Sequence, residues 1–196
     1  MKGKIFGIGL QRSGTTSLAH ALISLGFKTC HYVTHLDEME KADAIVDAPV
    51  FADYQRLDIQ YPDSKFICTV RDLNKWAKSF KEKVVDKHIR DNTQPRTMNL
   101  RCNRDVFGTL ERAKLSDLSF LIKKHNDHVE QAKAYFSNRP GDFLLLKIDE
   151  DPKLVQTSLR QFLNVAGNEA HFPFDANPTT HGWESFQHPL KVRIKK

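Results

Sequence analysis

The sequence predicts an α/β protein of three layers, with a central, mostly parallel sheet flanked by helices on both faces. Three observations carry that reading. Short β-rich apolar runs alternate along the chain with segments whose apolar residues recur at helical spacing. The first run leads through a glycine-punctuated turn directly into a helix. Gly9, Asp47 and Arg71 all fall at the carboxyl ends of predicted strands, where parallel sheets bind their ligands.

The first strand is Ile5, Phe6 and Ile8, and Gly9-Leu-Gln-Arg-Ser-Gly14-Thr-Thr-Ser17 follows as the turn. Leu18, Ala21, Leu22 and Leu25 mark one face of a helix, which Gly26 stops by accepting left-handed backbone. Backbone N–H groups in such a turn face one concavity, and the helix dipole favours an anion there. This makes the fold P-loop-type. A nucleoside-triphosphate loop, however, reads G-x-x-x-x-G-K-[ST], with lysine reaching the terminal phosphates. Gly9 and Gly14 keep the spacing, but Thr15 stands in the lysine's place and the cation is Arg12, two residues before the second glycine. The loop suits a polyanion and departs from an ATPase. The plainer alternative is a glycine-rich turn without a ligand.

Residues 27–33 read as a second strand and 35–42 as a short polar helix or loop. Residues 44–49 are a brief strand ending in Asp47, which Pro49 prevents from continuing. A helix over 53–61 places Tyr54, Leu57 and Tyr61 on one side. Residues 65–70 (KFICTV) form a buried strand followed by Arg71-Asp72, and a helix from 73 to about 85 carries Trp76, Ala77 and Phe80. Residues 86–104 are charged, weakly periodic and interrupted by Pro95, and are expected to form a surface loop or a lid over a site. From Val106 a helical pattern runs to Phe136, with His125 on its apolar face as a core histidine. Residues 143–148 give a further strand, and Asp151-Pro152 caps a helix bearing Leu154, Val155, Leu159, Phe162 and Leu163. Residues 168–196, with Pro173, Pro178 and Pro189, form an irregular tail in which 172–174 are placed to close the site.

The length, 196 residues, suits one domain spanning 1–196. Net charge is +6, but Lys191, Arg193, Lys195 and Lys196 in the last six residues supply most of the excess. A basic tail is ordinarily a solvated end, and nothing else points to nucleic acid. Cys30, Cys68 and Cys102 are odd in number and far apart, which argues for reduced thiols in a cytoplasmic protein and against a disulfide framework or metal site. Met-Lys-Gly-Lys leads straight into the first strand, leaving no room for a signal peptide, and no apolar run approaches membrane-spanning length. Oligomeric state leaves no mark on the pattern.

GLQRSGTTSL resembles the 5′-phosphosulfate loop of the sulfotransferases, a basic residue followed by S-G-T-T. VRDLNKWAKS resembles that family's second signature, an arginine at a strand end followed eight residues later by a serine, here Arg71 and Ser79. The resemblance continues in YPDSKFICTVRD and HVEQAKAYFSNRPGDFLLLKID and is nearest the compact soluble branch. It implies 3′-phosphoadenosine 5′-phosphosulfate (PAPS) as donor and a hydroxyl or amine of a small molecule or glycan as acceptor. It further implies that Arg12 neutralises the bridging oxygen as the sulfuryl group leaves, and that Ser13, Gly14, Thr15, Thr16 and Ser17 bind the 5′-phosphate. Arg71 and Ser79 then grip the 3′-phosphate. Many relatives place a histidine base in an H-x-P setting where this chain has Asp47-Ala-Pro49. Asp47 is therefore the candidate general base, with a loop cap as its plainer role and His31 as the alternative base. Most cytosolic relatives have lysine where Arg12 stands, and their glycine-rich basic motif near the C-terminus is not recognisable, with Lys191 and Arg193 as possible substitutes. Two further readings compete. One is a P-loop kinase or NTPase using Asp47 as its magnesium acid. The other is a nucleotide-binding protein without catalysis.

Overall fold

β1 (Ile5–Gly7) is the central strand of an all-parallel sheet. It pairs with β3 (Ala44–Val46) on one side and β4 (Lys65–Val70) on the other, while β2 (Thr29–His31) lies beyond β3 and β5 (Phe143–Lys147) beyond β4. The computed structural model describes residues 3–166, 172–173 and 183–193.

Because successive side chains on a strand point to opposite faces, each strand feeds two cores. Phe6, Ile8, Ile45, Phe66 and Cys68 face α2 (Leu36–Lys41), α3 (Val50–Gln60) and α8 (Leu118–Tyr135), meeting Met39, Tyr54, Leu57, Val129 and Ala132. Ile5, Ala44, Val46, Ile67 and Leu146 face α1 (Thr15–Ser24) and α9 (Pro152–Leu163), meeting Leu18, Leu22, Val155 and Leu159. The helix after β1 therefore lies on one face, and helices following its neighbours β3 and β4 lie on the other. That divergence opens a crevice at the carboxyl end of β1. A third apolar cluster roofs this end: Leu10, Tyr32 and Ala48 from the strand ends join Trp76 and Phe80 of α4 (Leu73–Phe80), Phe107 of α6 (Thr97–Phe107) and Leu115 of α7 (Arg112–Ser116).

Four elements differ from the sequence reading. The α3 helix begins at Val50, three residues before the expected start, because Val50 and Phe51 are buried at once after Pro49. The irregular stretch 86–104 contains α5 (Lys87–Arg90) and most of α6, preceded by a π-helical turn at Lys81–Val85. The α6 helix buries only Cys102, Asn103 and Phe107, so charged residues on its other faces mask the period. The pattern from 106 to 136 is not one helix. Gly108, left-handed at φ 71°, ends α6, and the Asp117 carboxylate opens α8 by accepting from the N–H groups of Ser119 and Phe120. In the tail, residues 190–192 dock on the outer edge of β2: Thr29 N–H donates to Leu190 O at 2.8 Å and Val192 N–H to Thr29 O at 2.9 Å. Phe172 is buried in the α1–α9 core, while Phe174, Pro178, Lys195 and Lys196 lie outside the described residues. No described helix is long and apolar enough to cross a membrane.

His125 occupies the core position expected of it. It is 2% exposed, its ring lies 4.5 Å from that of Trp76, and its Nδ1 has no hydrogen-bond partner among the described residues. Burial, with the neighbouring His128, pushes its pKa down to about 4. The unfolded chain titrates near 6.5 and so binds the proton first as pH falls, and stability present above that value is lost between it and about 4. At pH 5 the loss attributable to His125 is about 2 kcal/mol relative to pH 8. Melting curves across this range are expected to show a shallower acid decline for His125→Leu than for the parent protein.

Candidate active site

The turn after β1 is fixed from behind. Ile8 N–H donates to Ile67 O of β4 at 2.8 Å, and His128 Nε2 lies 2.8 Å from Ile8 O. Trp76 Nε1–H donates to Gln11 O at 2.9 Å. The Ser13 hydroxyl, fully buried, donates to Leu10 O at 2.6 Å and lies 2.8 Å from Thr69 Oγ1, while Ser13 N–H also donates to Leu10 O. Gly9 allows the close approach: a Cβ there would sit 2.1 Å from Thr69 Oγ1 and 2.6 Å from Ser13 Oγ. Gly14 has φ 94° and serves as the N-cap of α1. It brings no capping side chain, and the first turn holds no acid, so the helix's own residues leave its first N–H groups uncapped and its positive end uncompensated. The α4, α8 and α9 helices, by contrast, are closed by Asp72, Asp117 and Asp151.

Arg12, held at φ 70°, directs its guanidinium away from this framework and donates from Nε to Ser79 Oγ on α4 at 3.2 Å. Burial, and next the charge of Arg71, lower the Arg12 pKa, with Asp47 opposing. Two guanidiniums thus stand close enough to repel, in a place where an anion relieves both. The Arg71–Asp72 ion pair that the sequence allows does not form, because the Asp72 carboxylate caps α4 through Lys75 N–H at 2.8 Å. Arg12 and Ser79 therefore meet beside the turn, within range of the Arg71 charge.

On the other side of the turn lies a polar cluster. Asp47, just beyond β3 with φ 72°, accepts from Ala48 N–H at Oδ1 (2.7 Å) and from the Thr15 hydroxyl at Oδ2 (3.3 Å). His31, the last residue of β2, places Nε2 3.2 Å from Thr15 Oγ1, 3.3 Å from Thr16 Oγ1 and 3.5 Å from Asp47 Oδ2. Burial is the main influence on His31 and lowers its pKa, Asp47 opposing and Arg12 and Arg96 reinforcing, so the ring is neutral at pH 7. The two alternative bases are neighbours within one cluster. Ser17 is buried in the first turn of α1.

Sequence reasoning passed over four contributors. Thr69 is a polar residue inside an apolar strand, and that exception was a legible signal. Ile148 packs where a Cβ on Gly14 would stand. Trp183 lies with its ring 5.6 Å from that of His31, and Arg96 covers the Tyr32 ring at 4.7 Å; neither sits in any motif. Lys191 does not take the role suggested for it. Its ammonium donates to Phe186 O at 2.8 Å and lies over the Trp183 ring, on the β2 edge. That edge is three strand spacings, about 14 Å, from β4 and Arg71. Arg193 bonds Gln187.

Fold and site together define an α/β protein with a crevice lined by cations and hydroxyls at the end of its central strand. The sulfotransferase-domain family model matches residues 4–42 and 37–181, and the chain belongs to that family. Among solved structures, a sulfotransferase from Alicyclobacillus acidocaldarius shares the fold, with a TM-score of 0.56 and 15% identity over 91% of this chain and 87% of that one. No curated protein matches the sequence.

If Thr69 and Ser13 set the turn, Gly9→Ala is expected to lower the melting temperature by several degrees, a loss of about 1–3 kcal/mol from overpacking. Adding Thr69→Ala should restore only part of it, since the Thr69 carbonyl, 2.8 Å from the same Cβ, remains.

Proposed function

We propose that the protein moves a sulfuryl group from PAPS to the hydroxyl or amine of an acceptor. The contact of Arg12 Nε with Ser79 Oγ at 3.2 Å carries the proposal. It brings the turn after β1 and the α4 half of the second motif within reach of one nucleotide bearing phosphates at two separate positions.

In this reading the first N–H groups of α1 and the hydroxyls of Thr15, Thr16 and Ser17 receive the 5′-phosphate, with Gly14 letting the backbone approach. Ser13 serves by shaping the turn, since its hydroxyl and N–H are already spent on Leu10. Arg71 and Ser79 hold the 3′-phosphate through charge-assisted and neutral hydrogen bonds. The donor supplies a sulfur whose bond to the 5′-phosphate oxygen breaks as the acceptor oxygen or nitrogen bonds to it, leaving adenosine 3′,5′-bisphosphate. Arg12 neutralises the charge growing on the departing oxygen, and catalysis rests mainly on positioning and charge. Asp47 Oδ2 takes the acceptor's proton, with neutral His31 Nε2 beside it to share that proton. A cytoplasmic setting fits three cysteines that are all buried and free.

Calorimetric titration tests the donor assignment. Adenosine 3′,5′-bisphosphate should bind without magnesium and in preference to adenosine 5′-phosphate, and Arg71→Ala should erase most of that preference. Magnesium-dependent ATP binding with no bisphosphate binding would make the protein an NTPase instead. Asp47→Asn is expected to cut turnover about 10²-fold while sparing bisphosphate affinity. Full activity in that variant, with loss in His31→Ala, would transfer the base role to His31. Because the His31 pKa is lowered, the protein should hold its activity as pH falls to 6.5 and lose it only below.

A further inference from the structure

A cavity of about 440 Å³ lies beyond α4, between the π-helical turn, residues 88–95, α6 and α7. Its walls combine apolar side chains, among them Phe80, Val84, Leu100 and Leu115, with polar ones. Two polar side chains in the wall have nothing to bond: the side-chain oxygens of Asn99 and Asn103 are buried without hydrogen-bond partners among the described residues, and Asn103 is only 7% exposed. Of the other polar wall groups, His88 Nδ1 pairs with Thr93 Oγ1 at 2.9 Å and Arg112 with Asp86 at 3.3 Å, while Asn92 and Gln94 are exposed. A buried acceptor left unpaired is costly unless a ligand donates to it.

The cavity adjoins the site at Phe80. Phe80 follows Ser79, which bonds Arg12, and Phe80 packs in one cluster with Leu10, Tyr32 and Ala48 from the ends of β1, β2 and β3. Pro95, also in the wall, precedes Arg96, which covers Tyr32 and whose charge reaches His31.

Resting on the sulfotransferase reading, we propose that this cavity holds the acceptor, and that the acceptor is a neutral, largely apolar molecule with two polar ends rather than a glycan. One hydroxyl or amine donates to the Asn103 and Asn99 oxygens at the inner end. The other, at the opposite end, gives up its proton to Asp47 and bonds to the sulfuryl sulfur, the bond from sulfur to the 5′-phosphate breaking.

The probes are 2,7-dihydroxynaphthalene and 2-naphthol, which differ by the second hydroxyl. Binding is followed by their fluorescence with the protein saturated in adenosine 3′,5′-bisphosphate. The diol should bind about fivefold more tightly than 2-naphthol, the effect of one buried hydrogen bond. Asn103→Leu should abolish that difference, and Val84→Trp should weaken both probes at least tenfold, with bisphosphate affinity unchanged in each. With PAPS supplied, sulfation of the diol should show a KM raised about fivefold in Asn103→Leu and an unaltered kcat. Equal binding of the two probes, no binding by the parent protein, or indifference to both substitutions overturns the cavity assignment while leaving bisphosphate binding intact. Diol binding with no sulfation by a protein that binds the bisphosphate overturns the acceptor role. Failure to bind the bisphosphate overturns the donor reading instead, and probe binding in its absence still decides the cavity.

Discussion

The buried hydroxyl of Ser13, set between the Leu10 carbonyl and Thr69 of the adjacent strand, is the constraint on which the site depends. It turns a flexible glycine-bounded segment into a rigid turn. The turn in turn fixes where the N-terminus of α1 points and where Arg12 leaves the backbone. The same packing explains Gly9: β4 passes so close that no side chain fits between turn and strand. Backbone amides can serve as a preorganised anion cradle only when their own framework does not need them, and Thr69, Trp76 and His128 supply that framework from three separate elements.

Electrostatics then divides the site into two halves. On one side Arg12, bonded to Ser79, is opposed by the charge of Arg71, an arrangement that disfavours the isolated protein and favours a ligand rich in negative charge. On the other, Asp47 and His31 lie against Thr15 and Thr16 at the foot of α1. Asp47 and Arg12 both adopt left-handed backbone despite their side chains, local strain of the kind that concentrates at functional sites. In the proposed sulfuryl transfer the cation half serves the leaving group and the carboxylate–imidazole half the incoming one. In-line transfer requires that separation.

Much of this was legible from residue patterns. Strand KFICTV is found where its apolar run places it, β5 ends one residue early, and α9 starts at the Asp151-Pro152 cap. The failures share one cause. Elements at the carboxyl end of the sheet are buried against each other rather than against the sheet, so their apolar faces are narrow and their periods weak. The α6 helix was hidden for this reason, and the junctions at Gly108 and Asp117 were overridden by an apolar pattern that runs through them. The tail was opaque because residues 190–192 dock by backbone pairing with β2, which needs no particular side chains.

Local chemistry is written in short stretches, so the sequence by itself determined the strands, the glycine turn, the capped helices and the two motifs of the sulfotransferase family. Only the tertiary structure decided that Arg12 meets Ser79 across 67 residues, that His31 and Asp47 form one cluster, and that Lys191 is spent on the far edge. Strand order settles all three. Placing β1 between β3 and β4 brings distant strand ends together and sends the β2 edge away from Arg71, and no spacing within a single chain segment specifies which strands become neighbours.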